Sequence, residues 1–388
     1  MRKKTNSEKK PILGFDFGTT YNSVSVWRNG HVDIINNNLG NYSTPSYVTI
    51  QKDSIIVGDV AKNIATDYPD CTIFDSKRLI GRTYHDPCVQ SDLMHWPFNV
   101  VCDQRGMPFY EIRLDNEIRK YSAIEIASYI FDHMKKIADH FLGLDSDCSE
   151  GINDDAVVTV PAYFNAVQRA AIMEAARRAN LNVLRIIDEP TAAAIAYGLN
   201  EKSETARKLL IFDFGGGTLD LSLLENYQQS FTVLAVGGDT HLGGQDIDNL
   251  LVDYFATRFE KEHECNIRGD KRAMFMIRVA CEKAKITLST TNIARISCPS
   301  LYNGKDYSDT ITRAEFEDLI YELLQNILKP IDDVFNQANE RKDEKDKIYK
   351  KDIDAVVLIG GTSKIPLVGM MLEEIFPNKI LKTKIDPE

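Results

Sequence analysis

One short stretch occurs almost twice. FDFGTT (15–20) returns as FDFGGGTLD (212–220). Each copy follows apolar residues, Ile12-Leu13 before the first and Leu209-Leu210-Ile211 before the second. Each sets one aspartate, Asp16 or Asp213, inside a strand and then runs into small, turn-forming residues. A chain that builds the same strand and turn twice is expected to fold as two similar lobes, each opened by a β-meander. Their glycine-rich turns would then face each other across a central cleft.

The surroundings of each copy support this. After the first come the β-rich stretches NSVSVWR, HVDIIN and SYVTIQ, with a hairpin expected at Arg28-Asn29-Gly30. A helix is expected over about 122–142. Ser122 and Glu125 form a capping box, and Ile126, Ile130, Met134, Ile137 and Phe141 recur at helical spacing before Gly143. AVVTV (156–160) and NVLRII (182–187) read as buried parallel strands. Between them Asn165 caps a helix running to Ala179, and Pro190 opens another. After the second copy, LDLSLLE and FTVLAV repeat the meander. Helices follow over 245–263 and 271–289. Pro330 should kink or split the helical stretch 315–338, and NERKDEKDKIYKK (339–351) reads as a solvated loop or helix end. DAVVLIGG (354–361) is a last buried strand before a helix led by Pro366.

The repeated turn suits one chemistry. Gly18-Thr19-Thr20 and Gly215-Gly216-Gly217-Thr218 let backbone N–H groups approach an anion, glycine supplying the unusual φ values and threonine adding hydroxyl donors. Asp16 and Asp213 repel phosphate and instead suit a hydrated divalent cation that neutralises it. The pair predicts a polyphosphate–Mg²⁺ site. It is neither a Walker loop nor a Rossmann fingerprint, since neither spacing occurs. Hydrolysis also needs a positioned water and a cation. Lys77 in FDSKRLIGR supplies such a cation, although spacing alone reads it as an ordinary surface lysine beside Arg78. Glu189 in IIDEPTAAA ends a buried strand, where α/β sites gather, and equally suits the first turn of a helix. Asp220 suits an acid behind the metal or a strand-surface charge, and His241 reads as structural.

The net charge of −11 argues against a nucleic-acid or anionic-membrane partner. No window reaches the length of a membrane span, and the polar, basic segment 1–10 is expected to be a flexible tail rather than a secretory signal. Seven cysteines without CxxC spacing support neither zinc nor disulfides and read as reduced packing thiols. The expected location is cytoplasmic.

The longer phrases resemble the nucleotide-binding domain of heat-shock protein 70 (DnaK-type) chaperones, within the actin/hexokinase-like ATPase superfamily. The strings are GFDFGTTYNSV, KRLIGR, QSDLMHWPFNVV, VVTVPAYFNAVQR, NVLRIIDEPTAAAIAYGL, IFDFGGGTLDLSLL, GDTHLGGQDIDN and LIGGTSKIP, in order along the chain. The resemblance implies an α/β fold. Lobe I would span 11–202 with a smaller subdomain near 46–128, and lobe II 203–388 with one near 243–320. It implies ATP or ADP as ligand, with Mg²⁺ and K⁺. Thr19, Thr20 and Tyr21 would hold phosphates beside Gly18, and Gly215–Thr218 would hold them from the other lobe. Asp16, Asp213 and Asp220 would organise the metal, largely through water. Lys77 would orient the attacking water and Glu189 would help position it. Gly244, Glu282, Lys285, Ser289, Gly360 and Gly361 would line the adenosine, and Pro161 and Arg169 would relay nucleotide state. The implied partners are a J-domain co-chaperone and a nucleotide exchange factor. Client peptides would bind through a C-terminal domain absent from this chain.

Three departures from the family pattern stand out. Ile286 and Lys364 replace arginines that sandwich the adenine, and Gln245 replaces a glutamate. Guanidinium groups stack on aromatic planes in a way neither isoleucine nor lysine can. They motivate one alternative, a weakly or non-hydrolysing nucleotide-binding regulator or co-chaperone; a sugar kinase of the same superfamily is the other.

Overall fold

The computed structural model describes residues 11–115, 117–144, 154–197, 205–228 and 230–380. The tail 1–10, Cys148 and the expected lobe boundary at 202–203 lie outside them. The chain divides into two compact units. The first takes residues up to 63, 70–160 and 164–188, and the second takes 64–69, 161–163 and everything from Glu189 onward.

In the first unit the main sheet runs Leu181–Asp188, Asp154–Val160, Leu13–Phe17, Tyr21–Arg28, His31–Ile34. The FDFG strand is parallel to Asp154–Val160, with Phe15 beside Val158, and antiparallel to Tyr21–Arg28, with Asp16 beside Ser23. The expected hairpin forms, and both Asn29 and Gly30 take positive φ (53° and 87°), as a two-residue hairpin turn requires. The period of two sends Leu13, Phe15 and Phe17 into the core and leaves Asp16 exposed on the other face. The helix Ala123–Phe141 covers the apolar face. Its capping box at Ser122 and Glu125 is complete, and Ile126, Ile130, Phe131, Met134 and Ile137 are buried. Each such side chain contributes about 1.5–3 kcal/mol. Phe131 stacks on Phe17 at 4.9 Å and meets Phe15 edge-on at 5.9 Å. This pins the strand from which Asp16 projects.

The second unit repeats the topology. Its sheet runs Ser230–Asp239, Leu219–Tyr227, Arg207–Phe214, Ala355–Ile359. Again the FDFG strand lies between an antiparallel partner and a parallel one. Val356 bridges in parallel to Ile380, on the side where the first unit carries its outermost strand. The helices Gly244–His263 and Lys271–Leu288 pack together through Ile247, Leu251, Phe255, Ile277, Cys281 and Leu288.

Pro330 behaves as its missing N–H dictates: one helix ends at Gln325, the next starts at Leu328, and the proline sits in its first turn. The charged run 339–351 forms two short 3₁₀ turns, but it is not wholly solvated. Ile348 is buried, and its backbone N–H and C=O are both bonded to the Asn339 side chain at 2.8 Å. Among the elements beyond the sequence expectation are a three-stranded sheet of Asn99–Cys102, Pro108–Leu114 and Glu117–Ser122, and the hairpin Ile293–Tyr302/Lys305–Thr312. Of the six cysteines described, none is in a disulfide, and Cys281 and Cys298 are core residues. No helix among the described residues is long and apolar enough to cross a membrane.

Candidate functional site

In the second unit the FDFG strand brings three carboxylates together. Asp213 alternates with the buried Phe212 and Phe214, so it leaves the core while they enter it. Across the antiparallel ladder its partner is Asp220. Glu189 opens the helix Glu189–Ala196. One carboxylate oxygen from each of Glu189, Asp213 and Asp220 lies within 4.8 Å of the others, and all three residues are half-buried. Like charges this close, partly shielded from water, destabilise one another unless a cation joins them. An all-oxygen donor set suits a hard cation such as Mg²⁺. The Thr218 hydroxyl donates to Asp220 Oδ2 at 2.8 Å, fixing that acid. A cavity of about 10 Å³, room for about one water, is lined by these three acids with Pro161, Tyr163 and Gly237.

The adjoining turn is held from behind. Gly215 N–H closes it by donating to the Thr218 carbonyl at 3.0 Å. The Gly215 carbonyl accepts from Gly244 N–H at 3.1 Å and from the Thr362 hydroxyl at 2.8 Å, and the Gly216 carbonyl accepts from Gln245 N–H at 2.7 Å. In a trans peptide the N–H opposes the C=O. Engaging these two carbonyls with the helix start therefore aims the N–H groups of Gly216 and Gly217 away from it, which is the disposition an anion nest needs.

The reason for glycine differs from the expected one. None of Gly18, Gly215, Gly216 and Gly217 takes a positive φ. Close approach is the constraint at Gly18 instead, whereas a Cβ on Gly215 would meet nothing nearer than the Thr218 carbonyl oxygen at 3.7 Å. A Cβ on Gly18 would lie 2.1 Å from the Tyr21 carbonyl oxygen, and one on Gly243 would lie 2.7 Å from that of Gly216. Gly360 does need its freedom: φ is +80°, and a Cβ there would lie 2.4 Å from the Phe214 carbonyl oxygen and 2.7 Å from Asp213 Oδ1.

Beside the turn, Lys285 Nζ donates to the Gly244 carbonyl at 2.8 Å and to Asp248 Oδ2 at 2.7 Å. Burial raises the Asp248 carboxyl above its ordinary range, and Lys285 opposes that rise. Asp248 was not singled out from sequence; its signal is its place one turn after Gly244 on the buried side of the helix. Ser289 caps the same helix as Lys285 and bonds back to the Lys285 carbonyl at 3.4 Å. Glu282 is half-buried one turn before Lys285, whereas Ile286 is 57% exposed. Gly361 is exposed, and Lys364 is half-buried at the end of the 3₁₀ turn Gly361–Lys364.

In the first unit, Asp16 accepts from the Thr159 hydroxyl at 2.6 Å. The Gly18 and Thr20 carbonyls are bonded to Ser46, through its hydroxyl at 3.0 Å and its N–H at 2.8 Å. Thr19 is half-buried, and the buried Thr20 Oγ1 makes no hydrogen bond. Tyr21 OH accepts from Lys62 Nζ at 2.8 Å. Lys77 is not a surface lysine. It is 8% exposed, with Nζ 5.8 Å from the centroid of the Phe164 ring. Arg169 is tied to Asp188 at 2.7 Å and to the Phe164 carbonyl at 2.9 Å.

Comparison with known proteins bears directly on this arrangement. The family model described as Hsp70 protein matches residues 12–388. The chain belongs to the Hsp70 family. Its fold is accordingly the actin-like ATPase fold, with mixed sheets flanked by helices. The chain is 44% identical to heat shock cognate 70 kDa protein 3 of Dictyostelium discoideum, over 97% of this chain and 58% of that protein. It is 44% identical to a heat shock 70 kDa protein of Emericella nidulans, over 97% and 56%. It is 45% identical to a ribosome-associated molecular chaperone of Zygosaccharomyces rouxii, over 97% and 59%. The chain thus spans somewhat over half the length of these relatives. Hsp70 proteins are chaperones with ATPase activity that bind ATP and ADP and work with co-chaperones and clients.

Proposed function

We propose that this chain binds Mg-ATP and hydrolyses it as the nucleotide-binding domain of an Hsp70 chaperone, with lobe closure controlling a C-terminal peptide-binding domain. The observation that carries the reading is the trio Glu189, Asp213 and Asp220 beside a turn whose amides are aimed by the start of the helix Gly244–His263. Bound Mg²⁺ supplies charge neutralisation at the phosphates. Asp213 and Asp220, with Asp16, would hold the metal through its waters, and the same acids would serve K⁺. Gly216, Gly217 and Thr218, with Gly18, Thr19, Thr20 and Tyr21, donate to phosphate oxygens. Glu189 orients the attacking water, and the Lys77 ammonium stabilises charge developing on the γ-phosphate. Gly244, Glu282, Lys285, Ser289, Gly360 and Gly361 receive the adenosine, with Ile286 and Lys364 at its base. Pro161 and Arg169 pass the nucleotide state on. A J-domain protein, an exchange factor and a cytoplasmic setting complete the proposal.

Single-turnover hydrolysis tests it. The native chain should release phosphate from bound ATP, and Lys77→Ala or Glu189→Gln should slow release by about 10²-fold or more while nucleotide still binds. Tight binding without turnover in the native chain would instead favour a regulator, and turnover unaffected by both substitutions would refute the assigned roles.

A further inference from the structure

The segment that carries Lys77 is anchored by residues the reaction does not use. Its helix, Ser76–Leu79, has four residues, too few to hold itself. Asp75 precedes it in the left-handed region, φ 58° and ψ 24°, where residues other than glycine are uncommon and concentrate at functional positions. Asp75 is also 6% exposed. A buried carboxylate needs donors, and the indole Nε1–H of Trp96 donates to Asp75 Oδ2 at 3.2 Å.

That donor is itself immobilised. Trp96 is buried and stacked on Phe98 at 5.5 Å, and Phe98 meets Phe74 and Tyr110 edge-on at 5.3 and 5.5 Å. Burial first, and the nearby Asp75 carboxylate second, push the Tyr110 phenol well above its ordinary range. Beyond the lysine, Arg78 N–H donates back to the Asp75 carbonyl at 2.9 Å, and the Arg78 guanidinium pairs with Asp92 at 3.3 Å, both side chains about nine-tenths buried. Lys77 therefore sits between two buried polar anchors.

We propose that Asp75 and Trp96 form a positioning clamp for Lys77. The rigid indole holds the carboxylate, the carboxylate fixes the left-handed turn, and the turn sets the ammonium over the Phe164 ring, 5.8 Å from its centroid. The clamp deepens the reading of Lys77 as the hydrolytic cation and rests on it for its effect on turnover, but its effect on the lysine's position stands apart. Trp96→Phe keeps the stacked ring and removes the donor. Asp75→Ala removes the acceptor and disfavours the turn, whereas Asp75→Asn keeps an acceptor and tolerates the left-handed region.

Two readouts on the full chain test the clamp. The first is the labelling rate of Lys77 by an amine-reactive ester, read by mass spectrometry against exposed Lys136. Trp96→Phe and Asp75→Ala should raise it about tenfold, corresponding to a local opening made easier by about 1.4 kcal/mol, and Asp75→Asn should leave it near native. The second is single-turnover hydrolysis, which should fall by about 10- to 100-fold in Trp96→Phe and Asp75→Ala with nucleotide affinity within about twofold. On a Lys77→Ala background the same substitutions should cause no further loss. Unchanged labelling in both variants overturns the clamp, as does Asp75→Asn behaving like Asp75→Ala. Raised labelling with full hydrolysis in Lys77→Ala supports the clamp and overturns only the hydrolytic role of Lys77.

Discussion

Gly360→Ala probes the contact between the last strand and the carboxylate site. Gly360 has φ 80° and ψ 142°, a conformation close to glycine-only territory. An alanine Cβ would stand 2.4 Å from the Phe214 carbonyl oxygen, 2.5 Å from its carbon and 2.7 Å from Asp213 Oδ1. Favourable carbon contacts begin near 3.5 Å, so the overlap is about 1 Å. The obstacle cannot easily retreat, because Phe212 and Asp213 are paired with Leu358 and Ile359 on one side and with Leu221 and Asp220 on the other. Backbone strain of about 1–3 kcal/mol and overpacking of about 1–3 kcal/mol together give about 2–6 kcal/mol of destabilisation. Gly369→Ala is the matched control. Gly369 lies inside the helix Pro366–Ile375 with nothing within 4 Å of its would-be Cβ. That change should stabilise by about 0.5–1 kcal/mol. Hydrogen exchange of the Arg207–Phe214 amides, followed through urea titration, reports on the second unit alone. Effects of the same sign in the two variants, or a Gly360→Ala effect under about 0.5 kcal/mol, would refute the reasoning.

Two further predictions rest on buried charge. Lys285→Ala should cost about 3–5 kcal/mol, because it strands the Asp248 carboxylate, and the double change Lys285→Met with Asp248→Leu should recover most of that loss in urea unfolding; a single-variant loss under about 1 kcal/mol would contradict it. His133 is held below its ordinary value of 6.5 by burial first and by Lys136 second, against the pull of Asp132 and Asp59. The unfolded chain therefore binds the proton more readily than the folded one. Stability from this residue is complete above pH 6.5 and is lost as pH falls toward the lowered value. His133→Gln should flatten the urea midpoint between about pH 7 and 5, and an unchanged slope would contradict it.

What could be read from the chain follows its periodicities. The helix Ala123–Phe141 was legible because its apolar stripe and capping box agree. The two FDFG strands were legible because phenylalanine and aspartate alternate with the period of a strand. The hairpin Ile293–Tyr302/Lys305–Thr312 was less so, since two of its inward residues, Ala294 and Cys298, are small. Its turn, Asn303-Gly304, carries the clearest hairpin signal in that region, with φ of 49° and 73°. The sheet of residues 99–122 alternates only in its middle strand, where Tyr110 and Ile112 are buried. At the site, the sequence pointed to Glu189, Asp213 and Asp220, but their mutual distances depend on the strand register. The role of Thr362 in fastening Gly215 joins positions 147 residues apart and has no local signal. Lys77 shows the same limit: the Phe164 ring that its ammonium sits over is distant in sequence.

The most direct test is calorimetric titration of the chain with ATP, with and without Mg²⁺, alongside Asp213→Asn. A triphosphate held through a metal predicts that withdrawing Mg²⁺ weakens binding by about tenfold or more, and that Asp213→Asn erases most of this metal dependence. Equal affinity with and without Mg²⁺ in the native chain, unmoved by Asp213→Asn, would contradict it.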